Sequence, residues 1–360
     1  MGDAEGNILI VWDRIGDYHR ARIREVEEQA GPDRVCTADF GGKDALYGWE
    51  GSEDGKRHFL LSPKPVDQLD CFRRCRNFWS ILRTRQIRNV AIAGYGRLEY
   101  VLFLVLARLL GCRVTLFAES WYGQSVLKNR IKGWFLRLTC NRFFVSGQRA
   151  WNHFHECLGI PAKRIFSGYS VVDNAHFEGP AERSCKPVLL SVARFSQEKN
   201  LDLLIRAFQN SRLAAHWELR LIGGGPDEDR LRALDKGTAR ITFAGWIGYA
   251  DLPSEYANAR AFVLPSQFEP WGLVVNEAMA ARLPVVVSDA CGCMPDLVRE
   301  GENGFVFKSR DEASLLNALD RLEGLSGEEL TQMGRQSGLV ISEFSCQGWA
   351  ASLIASFADR

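Results

Sequence analysis

The sequence has little of what marks secreted, membrane-spanning or repetitive proteins. Its ten cysteines are few for 360 residues and show no paired spacing, which argues against a disulfide framework and favours reduced thiols. The longest apolar run, residues 100–107, is far shorter than the roughly 20 residues that cross a bilayer. The N-terminus is acidic and lacks the pattern of a signal peptide, so we expect a cytoplasmic protein.

The chain as a whole has almost no net charge, but its two halves carry net charges of opposite sign. The formal net charge is +1. Residues 1–175 hold 26 Lys and Arg against 19 Asp and Glu, a charge of +7, whereas residues 176–360 carry −6. Two modules with different partners would explain this asymmetry, and so would unevenly solvated surfaces. The basic module suits an anionic acceptor or a membrane surface, and nothing in the sequence indicates a nucleic acid.

Short continuous apolar segments alternate with amphipathic ones along the chain. This alternation is typical of parallel strands that helices cover on both faces. Strands are predicted at residues 7–12, 89–93, 113–117 and 143–145, and again at 188–192, 218–222, 241–243, 261–264 and 285–287. We therefore predict an α/β protein with doubly wound domains at 1–176 and 188–342, a polar linker at 177–187 and a C-terminal helical segment at 343–360.

Two segments of the C-terminal half have residue types that suit a diphosphate. Arg194 and Lys199 follow its first strand and precede a helix start, whose unpaired N–H groups and positive dipole end attract anions. Gly223 and Gly224 follow the next strand, and glycine lets the backbone approach a ligand closely. Solvated cations and a tight turn remain the alternatives for these two segments.

The stretch from 268 to 280 is the most informative. Gly272 and Leu273 open a helix, so their N–H groups would face a phosphate. Glu277 lies further along that helix and suits the vicinal hydroxyls of a ribose. Glu269 in the preceding loop would face whatever lies beyond the phosphate. Because a carboxylate on so apolar a helix needs a partner, a plain surface acid is the weaker interpretation of Glu277.

In their order and spacing, these residues and the segment Phe-Ala-Gly-Trp at 243–246 resemble the retaining glycosyltransferases of family 4, or glycosyl transferases group 1. The resemblance is dense over residues 188–307 and thin over 1–175. It implies the GT-B architecture, two Rossmann-like doubly wound domains facing a central cleft, with a last helix that crosses back to the N-terminal domain.

The implied reaction moves a hexose-type sugar from a UDP- or GDP-linked donor to an acceptor hydroxyl with retention of configuration. Polysaccharide, glycolipid or glycoconjugate biosynthesis is the expected setting, with an acceptor that the sequence does not identify. Other GT-B enzymes, such as a nucleotide-sugar epimerase or a phosphorylase, and a catalytically silent sugar-nucleotide-binding protein remain alternatives.

The resemblance also implies roles for single residues. Arg194 and Lys199 would neutralise the donor diphosphate, so neither a metal nor pyridoxal phosphate is expected as a cofactor. The residues implied in catalysis are Arg194, Lys199, Glu269 and Glu119. The residues implied in donor binding are Gly16, Gly223, Gly224, Trp246, Ile247, Gly272, Leu273 and Glu277.

The N-terminal half departs from the family pattern at two of these positions. Gly16 stands alone where members often have a glycine-rich loop, and it would let the backbone approach the donor phosphate. Glu119 occupies a loop that often carries a histidine. It would position the sugar or the acceptor, unless it is simply a hydrogen-bonded loop acid.

The amphipathic segment 126–138 has two interpretations. Its apolar side chains share one face at helical spacing, and its cations project elsewhere. Either the apolar face packs on its own domain and leaves a cationic outer face, or the helix makes peripheral contact with an anionic membrane. A second basic segment contains Arg73, Arg74 and Arg76.

Overall fold

A computed structural model of the protein describes residues 6–41, 56–123, 125–178, 186–237 and 239–358. The chain divides into two compact units, one made of Met1–Val171 with Cys346–Arg360 and the other of Val172–Ser345. Most of the segment predicted as a linker, residues 179–185, lies outside the described residues.

The first unit is built on a parallel sheet of seven strands in the order β3-β2-β1-β4-β5-β6-β7. The strands are β1 Asn7–Val11, β2 Val35–Asp39, β3 His58–Leu60, β4 Ile87–Ala93, β5 Arg113–Ala118, β6 Arg142–Val145 and β7 Ile165–Ser167. The central strands are continuous apolar runs because helices cover the sheet on both faces. Ile8, Leu9 and Ile10 of β1, for example, are completely buried.

The first five helices of this unit are α1 Asp17–Ala30, α2 Cys71–Thr84, α3 Leu98–Leu109, α4 Val126–Thr139 and α5 Gln148–Asn152, and a π-helical turn at His153–Cys157 follows α5. The chain moves in one direction along the sheet from β3 to β6. Right-handed crossovers therefore place α2, α3 and α4 on one face of the sheet and α1 on the other.

The second unit contains a parallel sheet of six strands in the order β10-β9-β8-β11-β12-β13. Its strands are β8 Val188–Val192, β9 Glu218–Ile222, β10 Arg240–Gly245, β11 Ala261–Leu264, β12 Val285–Ser288 and β13 Gly304–Phe307. Its helices are α6 Asn174–Phe177, α7 Leu201–Asn210, α8 Glu228–Arg232, α9 Leu252–Asn258, α10 Leu273–Ala280, α11 Met294–Leu297, α12 Glu312–Glu323 and α13 Gly327–Ser342.

The last helix, α14 at Cys346–Ser356, belongs to the first unit and packs against α1. Its Trp349 is 1% exposed and stacks on Trp12, with ring centroids 6.3 Å apart. The hydroxyl of Ser356 lies 2.8 Å from that of Thr115 on β5. Aromatic burial and a buried hydroxyl pair thus hold α14 against the first sheet.

Two parallel, doubly wound sheets confirm the predicted α/β fold class of two Rossmann-like domains. In each unit the strand order reverses once, between β1 and β4 in the first sheet and between β8 and β11 in the second. Ligands of open α/β sheets bind outside the carboxyl ends of the strands at such a switch point. The loops after these four strands are therefore the first places to look for a site.

The packing of α4 differs from one prediction. The apolar side chains Leu127, Ile131, Trp134 and Leu138 face outward and are exposed, whereas Asn129, Gly133 and Leu136 are buried against the unit. Phe135, the fifth member of the predicted apolar face, is half-buried and packs against the core. The interpretation that the apolar face packs on its own domain is therefore wrong for four of its five residues. Over the described ranges, no helix is long and apolar enough to cross a bilayer.

Candidate functional site

The loops after β8 and β11 flank the switch point of the second sheet, and they carry four of the twelve residues that the sequence singled out. Arg194 and Lys199 follow β8, and Glu269 and Gly272 follow β11. The amide of Gln267 donates to the carbonyl of Glu198 at 2.9 Å. This bond and its neighbours hold the two loops side by side, although they are about 70 residues apart in sequence.

Lys199 and Glu269 form the central contact of this site. The ammonium of Lys199 lies 2.5 Å from Oε2 of Glu269, and the two side chains are 20% and 10% exposed. The hydroxyl of Ser266 donates to the same oxygen at 3.2 Å. A largely buried charge is stable only when it is paired and hydrogen-bonded, and here each group supplies that partner for the other.

Arg194 contrasts with Lys199. Its side chain is exposed, and no ion pair to its guanidinium occurs within the described part of the chain. Nearby, the hydroxyl of Ser196 donates to Glu198 at 2.6 Å and lowers the pKa of that carboxyl, to which Lys199 and Arg194 also contribute. A guanidinium with five donors is thus presented to solvent beside the switch point.

The glycines after β9 are fixed by the chain itself. A Cβ on Gly223, whose φ is +133°, would lie 2.0 Å from the carbonyl oxygen of Ala193. A Cβ on Gly225 would lie 2.4 Å from the carbonyl oxygen of Phe195. A Cβ on Gly224 would meet Oε2 of Glu228 at 3.6 Å, an ordinary contact. In this turn the backbone of Gly223 and Gly225 therefore packs closely against the loop that carries Arg194.

Gly272 precedes α10 in the left-handed region, with φ +104°, and no side chain caps this helix. Leu273 is the first helical residue and is half-buried. An uncapped N-terminus next to the switch point is the geometry that favours phosphate. The amide of Gly292 donates to the carbonyl of Glu269 at 2.9 Å, which ties the loop before α10 to the loop after β12.

Glu277 lies in the second turn of α10 and is completely buried. Its Oε2 accepts a hydrogen bond of 2.6 Å from the hydroxyl of Tyr256, which is also completely buried. A ribose hydroxyl would therefore reach Glu277 only after neighbouring side chains move. The sequence did not single out Tyr256, because a lone tyrosine on α9 has no pattern that links it to a glutamate on another helix.

Trp246 and Ile247 follow β10, the edge strand of the second sheet. Trp246 is 59% exposed and Ile247 is half-buried. An exposed indole at the carboxyl edge of the sheet offers a flat surface for an aromatic ligand, in keeping with the implied contact to a base. These two residues are two strands away from the switch point.

Gly16 and Glu119 belong to the first unit. Gly16 precedes α1 at the carboxyl end of β1, and its amide donates to Nδ1 of His19 at 3.1 Å. Burial and the neighbouring Arg22 lower the pKa of His19 to about 3, so its ring is neutral and accepts that bond. Glu119 follows β5 and accepts a hydrogen bond of 2.7 Å from Ser170.

The loop after β4 is the second half of the switch point in the first unit, and no sequence motif pointed to it. It contains Tyr95, whose pKa is raised by burial. On the loop after β1, burial raises the pKa of Asp13 more than Arg14 and Arg97 lower it. No cluster of three or more side chains suited to a metal ion occurs among the described residues.

Comparisons with known proteins agree with this arrangement. Residues 172–337 match the model of the family Glycosyl transferases group 1. A sulfoquinovosyl transferase, SQD2 of Arabidopsis thaliana, is 36% identical over 140 residues, which are 38% of this chain and 26% of SQD2. The matched segments span only 19% to 45% of the first curated relatives, so these relatives contain much that this comparison does not cover.

Solved structures resemble the chain over nearly its whole length. A glycosyltransferase of Rickettsia africae superposes with a TM-score of 0.76 over 98% of this chain and 97% of its own, at 12% identity. HepE of Anabaena, solved in complex with UDP, superposes with a TM-score of 0.74 over 96% and 97%, at 17% identity. Residues 172–337 of this chain are thus similar to the glycosyl transferases group 1 family, and the chain has the GT-B fold.

Proposed function

We propose that the chain is a retaining glycosyltransferase of family 4. It transfers a hexose-type sugar from a UDP- or GDP-linked donor to an acceptor hydroxyl in polysaccharide, glycolipid or glycoconjugate biosynthesis. The observation that carries this proposal is the pair of loops at the switch point of the second sheet, with an exposed guanidinium on one and an uncapped helix start on the other. Solved structures of HepE contain UDP and UDP-glucose, which supports a donor of this class.

In the proposed reaction the bond between the sugar carbon and the diphosphate breaks, and a bond to the acceptor oxygen forms on the same face. The acceptor proton passes to an oxygen of the leaving phosphate. Arg194, Lys199 and the N-terminus of α10 stabilise the charge that grows on the diphosphate. Glu269 binds hydroxyls of the transferred sugar, and Glu277 binds the ribose after local rearrangement.

The first unit supplies the acceptor side in this proposal, with Gly16 near the donor phosphate and Glu119 near the sugar or acceptor. The proposal includes peripheral contact of this unit with an anionic membrane. Its formal charge and its row of exposed apolar side chains on α4 support that contact.

Release of nucleotide from a panel of UDP- and GDP-sugars, measured with sugar and glycolipid acceptors, tests the proposal. Arg194→Ala and Lys199→Ala should each lower turnover on the order of 100-fold, because each removes a charge aimed at the leaving group. Arg335→Ala and Lys308→Ala remove exposed cations of the same unit and should leave turnover unchanged.

Near wild-type turnover in the Arg194→Ala/Lys199→Ala double variant would refute the diphosphate assignment. Nucleotide binding with no transfer to any acceptor would instead favour a silent sugar-nucleotide-binding protein. Interconversion of donor sugars would favour an epimerase, and release of sugar phosphate would favour a phosphorylase.

A further inference from the structure

Three neighbouring helices of the first unit present cations and almost no acids. Between Asp70 and Glu156 the sequence contains 15 Lys and Arg residues and only two acids, Glu99 and Glu119. Glu99 is 1% exposed and lies 2.7 Å from the buried guanidinium of Arg74. Glu119 lies in a loop. The surfaces of α2, α3 and α4 therefore present no carboxylate to solvent.

The outer face of α4 is apolar as well as free of acids. Leu127, Ile131, Trp134 and Leu138 follow one another at intervals of three and four residues, so they form one stripe along the helix. Their exposed fractions are 69%, 60%, 60% and 53%. Soluble monomeric proteins rarely leave a continuous apolar stripe of this length uncovered.

The inner face of α4 explains why the stripe faces outward. A Cβ on Gly133 would lie 1.9 Å from the carbonyl oxygen of Leu158, so the helix backbone approaches the unit too closely for any larger side chain there. Leu136 and Asn129 are buried beside it. The helix cannot be rotated to bury the stripe without losing this contact.

Cations flank the stripe, and further cations lie on α2. Lys128, Arg130 and Arg137 of α4 are exposed. On the same face of the sheet, α2 exposes Phe72 by 81%, and Arg73 and Arg76 beside it are also exposed. Arg74 is completely buried, so the basic surface of α2 lacks one member of the cluster that the sequence indicates.

We propose that the outer face of α4 docks on an anionic lipid bilayer. The apolar stripe would lie at the level of the acyl chains, and the flanking cations would meet anionic headgroups. A symmetric contact between two copies of this face would bring cations against cations, so charge disfavours a dimer. A nucleic acid would leave the stripe of leucine and isoleucine in water.

This inference deepens the proposed function by naming the surface through which the first unit meets a membrane. Lipid binding and nucleotide binding are measured separately, so either can fail alone. The probe is a set of vesicles of phosphatidylcholine alone and of phosphatidylcholine with phosphatidylglycerol. Flotation of the full chain reports partition, and calorimetric titration with UDP and GDP reports the donor site.

The wild-type chain should bind anionic vesicles, bind neutral ones much less, and lose affinity as salt rises. Ile131→Ser/Trp134→Ser should lower partition at least tenfold, whereas Trp134→Phe should retain it. Lys128→Glu/Arg130→Glu should lower partition by a similar factor. The matched controls are Leu339→Ser for an exposed leucine and Arg20→Glu/Arg335→Glu for exposed cations, and both should bind as wild type.

Absence of binding to anionic vesicles at low salt would overturn the inference. So would concentration-dependent dimerisation that Ile131→Ser/Trp134→Ser abolishes, because a second copy would then cover the stripe. A chain that binds nucleotide but no vesicles refutes the membrane surface alone. A chain that binds vesicles but neither UDP nor GDP, and transfers no sugar, refutes the proposed function alone.

Discussion

Removal of the negative charge of Glu269 should separate nucleotide binding from sugar transfer. In the structure the carboxylate lies 2.5 Å from the ammonium of Lys199 and neutralises it. A donor phosphate that binds Lys199 must share this cation with Glu269. Glu269→Gln releases Lys199 for the phosphate, so the variant should bind a free nucleoside diphosphate more tightly than wild type.

The size of the effect follows from the geometry. A phosphate oxygen at an ordinary distance of about 2.8 Å from the ammonium would lie about 4 Å from the Glu269 carboxylate. Because each charge is spread over several oxygens, the centres of the two charges lie about 5 Å apart, and they repel by about 3 kcal/mol at an effective dielectric constant of about 20. The intervening ammonium and the partial exposure of both side chains reduce this figure. We expect a gain of about 1–2 kcal/mol, a roughly 5- to 30-fold lower Kd.

Calorimetric titration with UDP and GDP measures the Kd, and a transfer assay at saturating donor measures the rate. Glu269→Gln should lower the rate because its contact to the sugar hydroxyls weakens. Glu300→Gln removes an exposed carboxylate of the same unit and is the matched control. In a Lys199→Ala background, Glu269→Gln should still tighten binding, because the repulsion between carboxylate and phosphate then lacks the intervening ammonium.

Weaker nucleotide binding by Glu269→Gln, to the extent seen with Arg194→Ala, would refute this reasoning. An equal gain in Glu300→Gln would mean that net charge alone explains the change. Thermal denaturation of each variant checks that the second unit remains folded.

Two further predictions concern stability. Gly223→Ala should destabilise the second unit by about 2–4 kcal/mol, because its Cβ would collide with the carbonyl of Ala193. The control Gly224→Ala should melt within a degree or two of wild type. Equal melting temperatures for the two variants would contradict the predicted collision. Burial raises the pKa of Glu99, but hydrogen bonds from its own backbone N–H and from Arg74 lower it. The lowering outweighs the raising, so the folded pKa lies below the ordinary value. Its contribution is therefore present above the unfolded pKa and is lost as pH falls through the folded one. Glu99→Gln should lower the free energy of unfolding by about 3–5 kcal/mol at neutral pH, and that free energy should then fall less steeply as the pH is lowered. Urea unfolding at several pH values down to about pH 3 measures both effects. A dependence on pH that equals that of wild type would argue against the ion pair of Glu99 and Arg74.

The sequence predicted the strands that lie at the centre of each sheet. β8, β9 and β11 have the predicted bounds, because strands buried on both faces leave continuous apolar runs that can be recognised locally. The strand at Val35–Asp39 was missed. Its residues Val-Cys-Thr-Ala-Asp include polar ones, yet all five are buried, and that burial depends on neighbours far away in sequence.

Some residues of the candidate site could also be predicted from short stretches of sequence. Arg194 and Gly272 stand out because a particular residue type occurs at a strand end or a helix start, and Glu277 because an acid occurs on an apolar helix; one stretch of sequence shows each of these. The pairing of Lys199 with Glu269 and of Tyr256 with Glu277 could not be predicted, because each joins two elements that only the strand order brings together.

The orientation of α4 shows most clearly what the sequence determined and what only the tertiary structure decided. Helical periodicity placed Leu127, Ile131, Trp134 and Leu138 on one face, but periodicity does not say which face is buried. The contact of Gly133 with the carbonyl of Leu158 decides that the polar and small face turns inward. A side chain's spacing along a helix is a property of the sequence, whereas its exposure depends on what the rest of the chain packs against that helix.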